Sequence, residues 1–378
     1  MNIAHKIDDC YGCGVCVIAC PKDIIGMKRS TEGFYVPTIT EPTRCIDCSL
    51  CEKVCSYLDD IKRLEPENIK GYAAYSKDAR VRRKCTSGGV GFEIAKLLIN
   101  KGYKACGVEY NYHENRAEHF VARTISEFKK SMGSKYIQSF TTPGFCRLTA
   151  NDKWVVFGTP CQVDSLRKWL RIKGVENNYV LVDFFCHGVP SYLLWDSYLN
   201  AKKEEFHFDN IDNVNFRDKR NGWHSYTITI KSGNREKASS LKENDLFHRF
   251  FLSNLCLNKA CYQSCKFKEH QSSADIRIGD FWGETYAENE EGISGVLANT
   301  EKGLQIIDEL KTACVVKEEP AHIVGEGQMK GPLLLPQRRR YVMKNLQRYT
   351  PLKYLFFKIR LLNKVDSIFH KLIALAKW

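Results

Sequence analysis

The chain has 378 residues, of which 43% are hydrophobic, with 17 cysteines and a formal net charge of +13. It is longer than one ordinary domain and apolar enough for a sizeable core, so two or three domains are expected. The charge gathers at one end: residues 338–378 hold eleven Lys or Arg against a single acid, Asp366, which argues against a general nucleic-acid surface.

Cys10, Cys13, Cys16 and Cys20, followed by Pro21, form the run C-x2-C-x2-C-x3-C-P, and Cys45, Cys48, Cys51 and Cys55 repeat its spacing 35 residues later. Three cysteines two residues apart can wrap a tight loop around three corners of a four-iron cluster, and the fourth corner must come from elsewhere. In two-cluster ferredoxins the last cysteine of each run crosses to the other cluster. The expected ligand sets are therefore Cys10, Cys13, Cys16 and Cys55 for one [4Fe-4S] cluster, and Cys45, Cys48, Cys51 and Cys20 for the second. Structural zinc is the alternative, but zinc sites usually show two C-x2-4-C pairs rather than two four-cysteine runs.

Residues 1–62 thus read as a two-cluster ferredoxin domain, with GFYVPTI (33–39) a strand or hairpin excursion between the runs. DDIKRLEPENIKG (59–71) reads as a charged linker. Over 70–325, KACGVEY, WVVFG, YVLVDFF and SYTITIK read as strands. GFEIAKLLINKG, QVDSLRKWLRI and EKGLQIIDELKTA read as helices. The fold class is α+β: a ferredoxin-like domain, then a mixed α/β flavin-binding domain, then a C-terminal amphipathic helical tail over 338–378.

Two junctions in the body are small and polar, Thr86-Ser87-Gly88-Gly89 before one helix and Gly158-Thr159-Pro160-Cys161 before another. Uncapped helix N-termini beside glycine attract phosphate. Neither matches G-x-G-x-x-G, so taken singly each reads first as an ordinary capped turn. No Walker loop or nucleophile elbow occurs, which leaves NTPase and hydrolase readings without support.

In the tail, Leu355, Ile359, Leu362, Phe369 and Leu372 recur near the helical period, while Lys353, Arg360, Lys364 and Lys371 fall together. Such a helix packs on the body or on a second subunit, or lies on an anionic membrane surface with Phe356, Phe357 and Trp378 as anchors. No apolar stretch approaches the ~20 residues needed to cross a bilayer. The N-terminal MNIAHKIDDC has no apolar export segment, and eight cysteines are committed to clusters rather than disulfides. A cytoplasmic location follows, peripheral at the inner face of the membrane if the tail binds lipid.

The stretches CTSGGV (85–90), GSKYIQS (133–139), GTPCQVDSLR (158–167), DFFCHGVPS (183–191), NFRDKRNGW (215–223), CLNKACYQSCKFK (256–268) and SADIRIGDFWG (273–283) resemble the coenzyme F420 hydrogenase/dehydrogenase beta-subunit family, in order across residues 70–325. Members of that family bind FAD and a [4Fe-4S] cluster, and the best known pass hydride between FAD and the deazaflavin F420. Many bacterial relatives with a fused ferredoxin domain occur alongside polysaccharide-synthesis functions.

The resemblance implies that Thr86, Ser87, Gly88 and Gly89 cradle the flavin diphosphate, with Gly158 and Thr159 at the second junction. It also implies that Lys135, Tyr136 and Gln138 line the flavin site and that Gly279 and Asp280 close it. Lys135 would stabilise negative charge on the reduced ring. A third cluster would be held by Cys161, Cys186, Cys261 and Cys265, with Cys256 in reserve, although Cys261 and Cys265 depart from the expected C-x2-C. Cys85, Cys106, Cys146 and Cys314 read as packing. His187, next to Cys186, is either a proton donor or a satisfied loop histidine. Arg217, Asp218, Lys219 and Trp223 are either a patch for an anionic or ring-bearing substrate or a solvated turn.

The combined reading is an iron–sulfur flavoprotein oxidoreductase relaying electrons from ferredoxin-type clusters to FAD and on to, or back from, an organic substrate such as F420 or a polysaccharide precursor. Its partner is an electron donor or acceptor protein or a small redox coenzyme, and nucleic acid is not among its partners. The alternative is a non-catalytic electron-transfer subunit feeding a partner enzyme.

Overall fold

Trp154–Phe157 and Tyr179–Phe184 are apolar at nearly every position, the pattern of strands covered on both faces. In the computed structural model, which describes Ile3 and residues 9–59, 69–328 and 330–375 with side chains as far as Asp366, both runs are central strands of one mixed sheet. Most of the expected linker, and Trp378, lie outside the described residues.

The strands are β1 (Ile25–Arg29), β2 (Tyr35–Ile39), β3 (Lys70–Ser76), β4 (Lys104–Asn111), β5 (Arg116–Ala122), β6 (Ser139–Phe140), β7 (Trp154–Phe157), β8 (Tyr179–Phe184), β9 (Asn213–Asp218), β10 (Thr227–Ser232), β11 (Arg235–Ser239), β12 (Ile276–Asp280), β13 (Ser294–Ala298) and β14 (Cys314–Glu318). The large sheet runs β14-β3-β13-β12-β8-β7-β4-β5-β6, with β12, β8, β7 and β4 mutually parallel. β9–β11 form a small antiparallel sheet, and β1 and β2 a hairpin between the two cysteine runs.

The period of two sorts the central side chains onto opposite faces. Val155, Phe157, Val180 and Val182 pack with Ile94, Leu98, Ile306 and Ile307, beneath the helices Val90–Asn100 and Glu301–Leu310. Trp154, Val156, Tyr179 and Leu181 pack with Val163, Leu166 and Leu170 of the helix Pro160–Lys173 and with Val15, Ala19 and Val54 of the ferredoxin segment. The cluster module is thus built onto one face of the sheet rather than tethered beside it.

Two glycines set how closely it approaches. Gly12 and Gly14 have φ of +71° and +73°, and a Cβ on either would meet Gln138 Nε2 or Thr141 Oγ1 at 2.0 Å. Gln138 itself accepts from the Tyr35 amide at 2.7 Å and donates to the Tyr11 carbonyl at 3.2 Å, so its side chain fastens the module to the body.

A second core gathers Phe34 and Tyr35, the helices Tyr192–Phe206 and Leu246–Leu252, and the start of the tail. The tail forms the helices Arg339–Gln347 and Leu352–Leu375, whose Val342, Met343, Leu346, Leu352, Leu355 and Ile359 are buried there. Arg339 donates to the Leu257 carbonyl at 2.9 Å and to Glu32 at 2.8 Å. Packing on the body therefore holds for the first half of the tail. Phe356, expected as a membrane anchor, packs against Phe250 instead.

Arg277 on β12 and Asp183 on β8 are wholly buried and pair through two hydrogen bonds of 2.8 Å. Arg277 also donates to the Gln271 carbonyl at 2.7 Å, so the pair ties the loop before β12 to the sheet. Removing one partner leaves an uncompensated buried charge, which costs about 3–5 kcal/mol. Asp183→Ala is expected to lower stability by that amount in denaturant unfolding, whereas a loss under ~1 kcal/mol would mean that the guanidinium finds water or another acceptor.

Candidate functional site

The ferredoxin thiols gather in two neighbouring groups, with Cys16 close to Cys51 as well as to Cys10, Cys13 and Cys55. Cys20, Cys45, Cys48 and Cys51 line one small cavity closed by Ile24, Ile25 and Ile39. Cys10, Cys13, Cys16 and Cys55 form the other: burial pushes Cys10 up to about 12, Cys13 and Cys55 adding to it, and pushes Cys13 up to about 11 with Cys55 adding again. Grouped buried thiols resist ionisation unless a cation shares the site, and bound iron meets that demand.

A third set converges where the module meets the body. Cys161 follows β7, Cys186 follows β8, and Cys261 and Cys265 lie in the segment leading to β12, next to β8 in the sheet. Burial raises Cys161 first, then Cys13, Cys186 and Cys261; Cys261 rises to about 12 through burial, then Cys186 and Cys265. Tyr11 from the first cysteine loop packs with Cys161, Cys265 and Phe267, and its hydroxyl donates to the Ser264 carbonyl at 2.7 Å.

Cys256 is not with them. Its thiol is buried in the second core near Phe250, so the reserve ligand is a packing residue. Cys85, Cys106 and Cys314 are buried as expected, whereas Cys146 is exposed. Among the described residues no three His, Cys, Asp or Glu close on one point as around a single metal ion. A four-iron cluster, in which each iron takes one thiolate, asks for a wider arrangement.

Beyond the third set, a cavity of about 590 Å³ opens at the carboxyl ends of β7, β8 and β12, where open α/β sheets commonly bind ligands. Thr86, Ser87, Gly89, Lys135, Tyr136, Gly158, Thr159, His187, Gly279 and Asp280 all line it, as does Cys186. Gly88 and Gln138 do not. Gly88 lies against β3, where a Cβ would sit 2.4 Å from the Ala74 carbonyl oxygen, and Gln138 serves the module contact.

The loop at 85–89 is pinned from several sides. Ser87 Oγ donates to the Ile293 carbonyl at 2.6 Å, and the Ser134 amide donates to Thr86 Oγ1 at 2.7 Å. Lys219 Nζ donates to the carbonyls of Arg82, Ser87 and Glu291 at 2.8, 2.5 and 2.6 Å, and burial lowers its pKa to about 8. The helix that follows has Gly89 (φ +87°) at its N-cap with no side-chain cap, and Gly89, Val90 and Gly91 line the cavity, a start suited to an anion. At the second junction, Gln162 Oε1 accepts the Thr159 amide at 2.8 Å, so that helix caps itself.

Lys135 Nζ donates to the carbonyls of Lys130 and Met132 at 3.1 and 3.2 Å, and burial lowers its pKa to about 7. His187 donates from Nε2 to Asn254 Oδ1 at 2.6 Å and is held below its usual range by burial and then by Lys268. Lys268 Nζ donates to the carbonyls of Cys186 and His187 at 2.6 and 3.1 Å.

Arg217, Lys219 and Trp223 are buried framework rather than a solvated turn. Arg217 donates to Tyr136 Oη at 3.1 Å, lies 3.6 Å from Asp280 and covers the Tyr226 ring at 4.0 Å. Trp223 donates to Asp280 at 2.9 Å and stacks on Trp282 at 4.5 Å. The lining holds Lys135, Arg217, Lys268 and Lys330 against one acid, the already engaged Asp280, so the cavity favours an anion. Asn254 lies outside every quoted motif and Lys268 closes the stretch 256–268 with no role read for it from sequence; their roles follow from the contacts of the 251–268 segment with Cys186 and His187.

Residues 151–323 match the family model for the C terminus of the coenzyme F420 hydrogenase/dehydrogenase beta subunit, and residues 9–58 match that of a 4Fe-4S dicluster domain. Among solved structures, the chain is similar to one in the xenon-derivatised F420-reducing [NiFe] hydrogenase complex from Methanosarcina barkeri, at 17% identity, covering 77% of this chain and 91% of that one with a TM-score of 0.45. No curated protein matches the sequence.

Because Lys135 in the fold releases its proton near pH 7 and in the unfolded chain near its ordinary value of 10.5, the unfolded state binds more protons between those limits. Its contribution to stability therefore rises with pH across that window. Thermal unfolding between pH 6.5 and 9.5 is expected to show a smaller rise for Lys135→Met than for the unaltered protein. Parallel profiles would mean that the ammonium keeps an ordinary pKa.

Proposed function

Since residues 151–323 belong to the C-terminal family of the coenzyme F420 hydrogenase/dehydrogenase beta subunits and residues 9–58 form a 4Fe-4S dicluster domain, we propose that this electron-transfer iron–sulfur protein is a flavoprotein oxidoreductase. Cys20/Cys45/Cys48/Cys51, Cys10/Cys13/Cys16/Cys55 and Cys161/Cys186/Cys261/Cys265 would each hold a cluster able to carry single electrons, and the cavity would hold a flavin. The reading rests on Cys186, which belongs to the third thiol set and also lines the cavity. Bound FAD would supply the exchange between single electrons and an electron pair that an organic substrate needs.

Thr86, Ser87, Gly89 and the uncapped helix start would hold the diphosphate, and Lys219 keeps that loop in place. Lys135 sets a charge at the ring that weakens as pH rises through about 7. With Nε2 engaged by Asn254, His187 offers Nδ1 for a proton. The substrate is a deazaflavin such as F420 or a polysaccharide precursor, and the positive lining favours one carrying negative charge.

Anaerobic preparations are expected to hold about twelve irons per chain and release FAD on denaturation. Cys186→Ser lowers the iron toward about eight, and Cys256→Ser leaves it unchanged. Iron without flavin would instead favour a carrier that feeds a partner enzyme, and zinc in place of iron would end both readings.

The last helix supports a membrane-surface location. Opposite its buried stripe, Tyr354, Phe357, Leu361 and Val365 are 53%, 61%, 46% and 53% exposed, and Lys353, Arg360 and Lys364 run beside them. Like charges along that flank disfavour pairing with a second copy and favour anionic lipid. Among the described residues no helix is long and apolar enough to cross a membrane. Leu361→Glu with Val365→Glu is expected to abolish sedimentation with phosphatidylglycerol vesicles while leaving the thermal midpoint unchanged, and undiminished sedimentation would exclude this surface.

A further inference from the structure

Ser56 and Ser165 are wholly buried and face each other at 3.0 Å where the module meets the helix Pro160–Lys173. The Ser56 amide donates to Ser165 Oγ at 3.1 Å, and the Ser56 hydroxyl donates to the Cys161 carbonyl at 3.1 Å. Cys13 Sγ lies 3.4 Å from Ser165 Oγ.

Counting protons fixes the direction of the last contact. The Ser56 hydroxyl proton is committed to Cys161, so Ser165 receives the Ser56 amide and still has one proton to give. Its acceptors in reach are Ser56 Oγ and Cys13 Sγ. A cysteine that ligates iron carries no proton and can only accept, and a bond to the charged partner is about twice as strong as a neutral one. No hydroxyl in this arrangement is then left without a partner.

We propose that Ser165 donates to the Cys13 thiolate and thereby raises the reduction potential of the cluster held by Cys10, Cys13, Cys16 and Cys55. An added electron increases the negative charge on the ligand sulfurs, so a fixed donor stabilises the reduced state more than the oxidised one. The donor comes from the body and the sulfur from the ferredoxin module, so the tuning exists only while the two are docked. The same pair of serines reaches the carbonyl of Cys161, a thiol of the neighbouring set, and so links the adjoining centres of the relay. The inference rests on the iron–sulfur reading above.

The test is an EPR-monitored redox titration of the anaerobic full-length holoprotein. Ser165→Ala is expected to move one cluster midpoint negative by a tenfold change in its one-electron constant, ~59 mV, with the others unmoved. Ser165→Thr, which keeps the hydroxyl, restores it. Ser56→Ala keeps the backbone amide and the Cys13 contact, and leaves that midpoint in place.

Unmoved midpoints in Ser165→Ala, or an equal shift of all of them, would overturn the assignment. Should the alanine variant not load clusters, Ser165→Cys, which keeps the shape with a weaker donor, decides: a negative shift of that one midpoint supports the bond, and an unmoved midpoint refutes it. A holoprotein with no cluster signals at all would sink the iron–sulfur reading as well, whereas normal signals with an unmoved midpoint sink the Ser165 role alone.

Discussion

The approach of the first cysteine loop to the sheet is the constraint on which the rest depends. It brings the thiols of the module and those of the body to the two sides of a thin layer of protein, with Tyr11 against Cys161 and Cys265. Gly12 and Gly14 make that layer thin. Each occupies a left-handed conformation that other residues resist, and each leaves no room for a side chain before Gln138 or Thr141. Tyr11, just before them, reaches the third thiol set, and Cys13, between them, reaches Ser165. A methyl group at either glycine would push the loop outward and lengthen all of these contacts together.

Electrostatics then separates the molecule into two kinds of interior. Around Cys10, Cys13, Cys16, Cys161 and Cys261 burial dominates, so ionisation of these sulfurs is costly without a bound cation. Around the cavity the walls carry ammonium and guanidinium groups, most of them already turned onto backbone carbonyls. Lys219 and Lys268 are fixed in this way, each with its charge spent on holding a loop: the first the glycine-rich loop, the second the Cys186–His187 turn. Arg217 is committed to Tyr136, Trp223 and Asp280. These cations still act on a bound anion through space, while the walls that carry them stay rigid.

The parts legible in the sequence are those whose partners are neighbours in it. Each cysteine run encodes its own loop, and the crossing of the fourth ligand is read from the pattern of two-cluster ferredoxins. The central strands and the three quoted helices are legible from their periodicity. The third thiol set is not, because Cys161, Cys186, Cys261 and Cys265 meet only through the adjacency of β7, β8 and β12, and strand order is a property of the assembled sheet. Only the resemblance brings those residues together. Single-residue facing is also beyond reach: within GSKYIQS, Lys135 and Tyr136 face the cavity while Gln138, entering β6, turns toward the ferredoxin module. Arg217 and Trp223 read equally well as a solvated turn because Asp280, the acid both of them engage, lies far along the chain on β12.

The tail shows why amphipathicity alone underdetermines a helix. Its sequence carries two apolar stripes, one through Leu352, Leu355 and Ile359, the other through Tyr354, Phe357, Leu361 and Val365. A single hydrophobic direction averages them. The first stripe closes the second core, and with Val342 and Leu346 it makes residues 339–359 part of the folded body. Beside the second stripe, Lys353 lies 3.7 Å from Glu205, and for Arg360 and Lys364 the one acid within the tail is Asp366. That acid is held by Arg338. The two stripes therefore divide the labour of the tail: the first fixes residues 339–359 on the second core, and the second leaves Tyr354, Phe357, Leu361 and Val365 exposed.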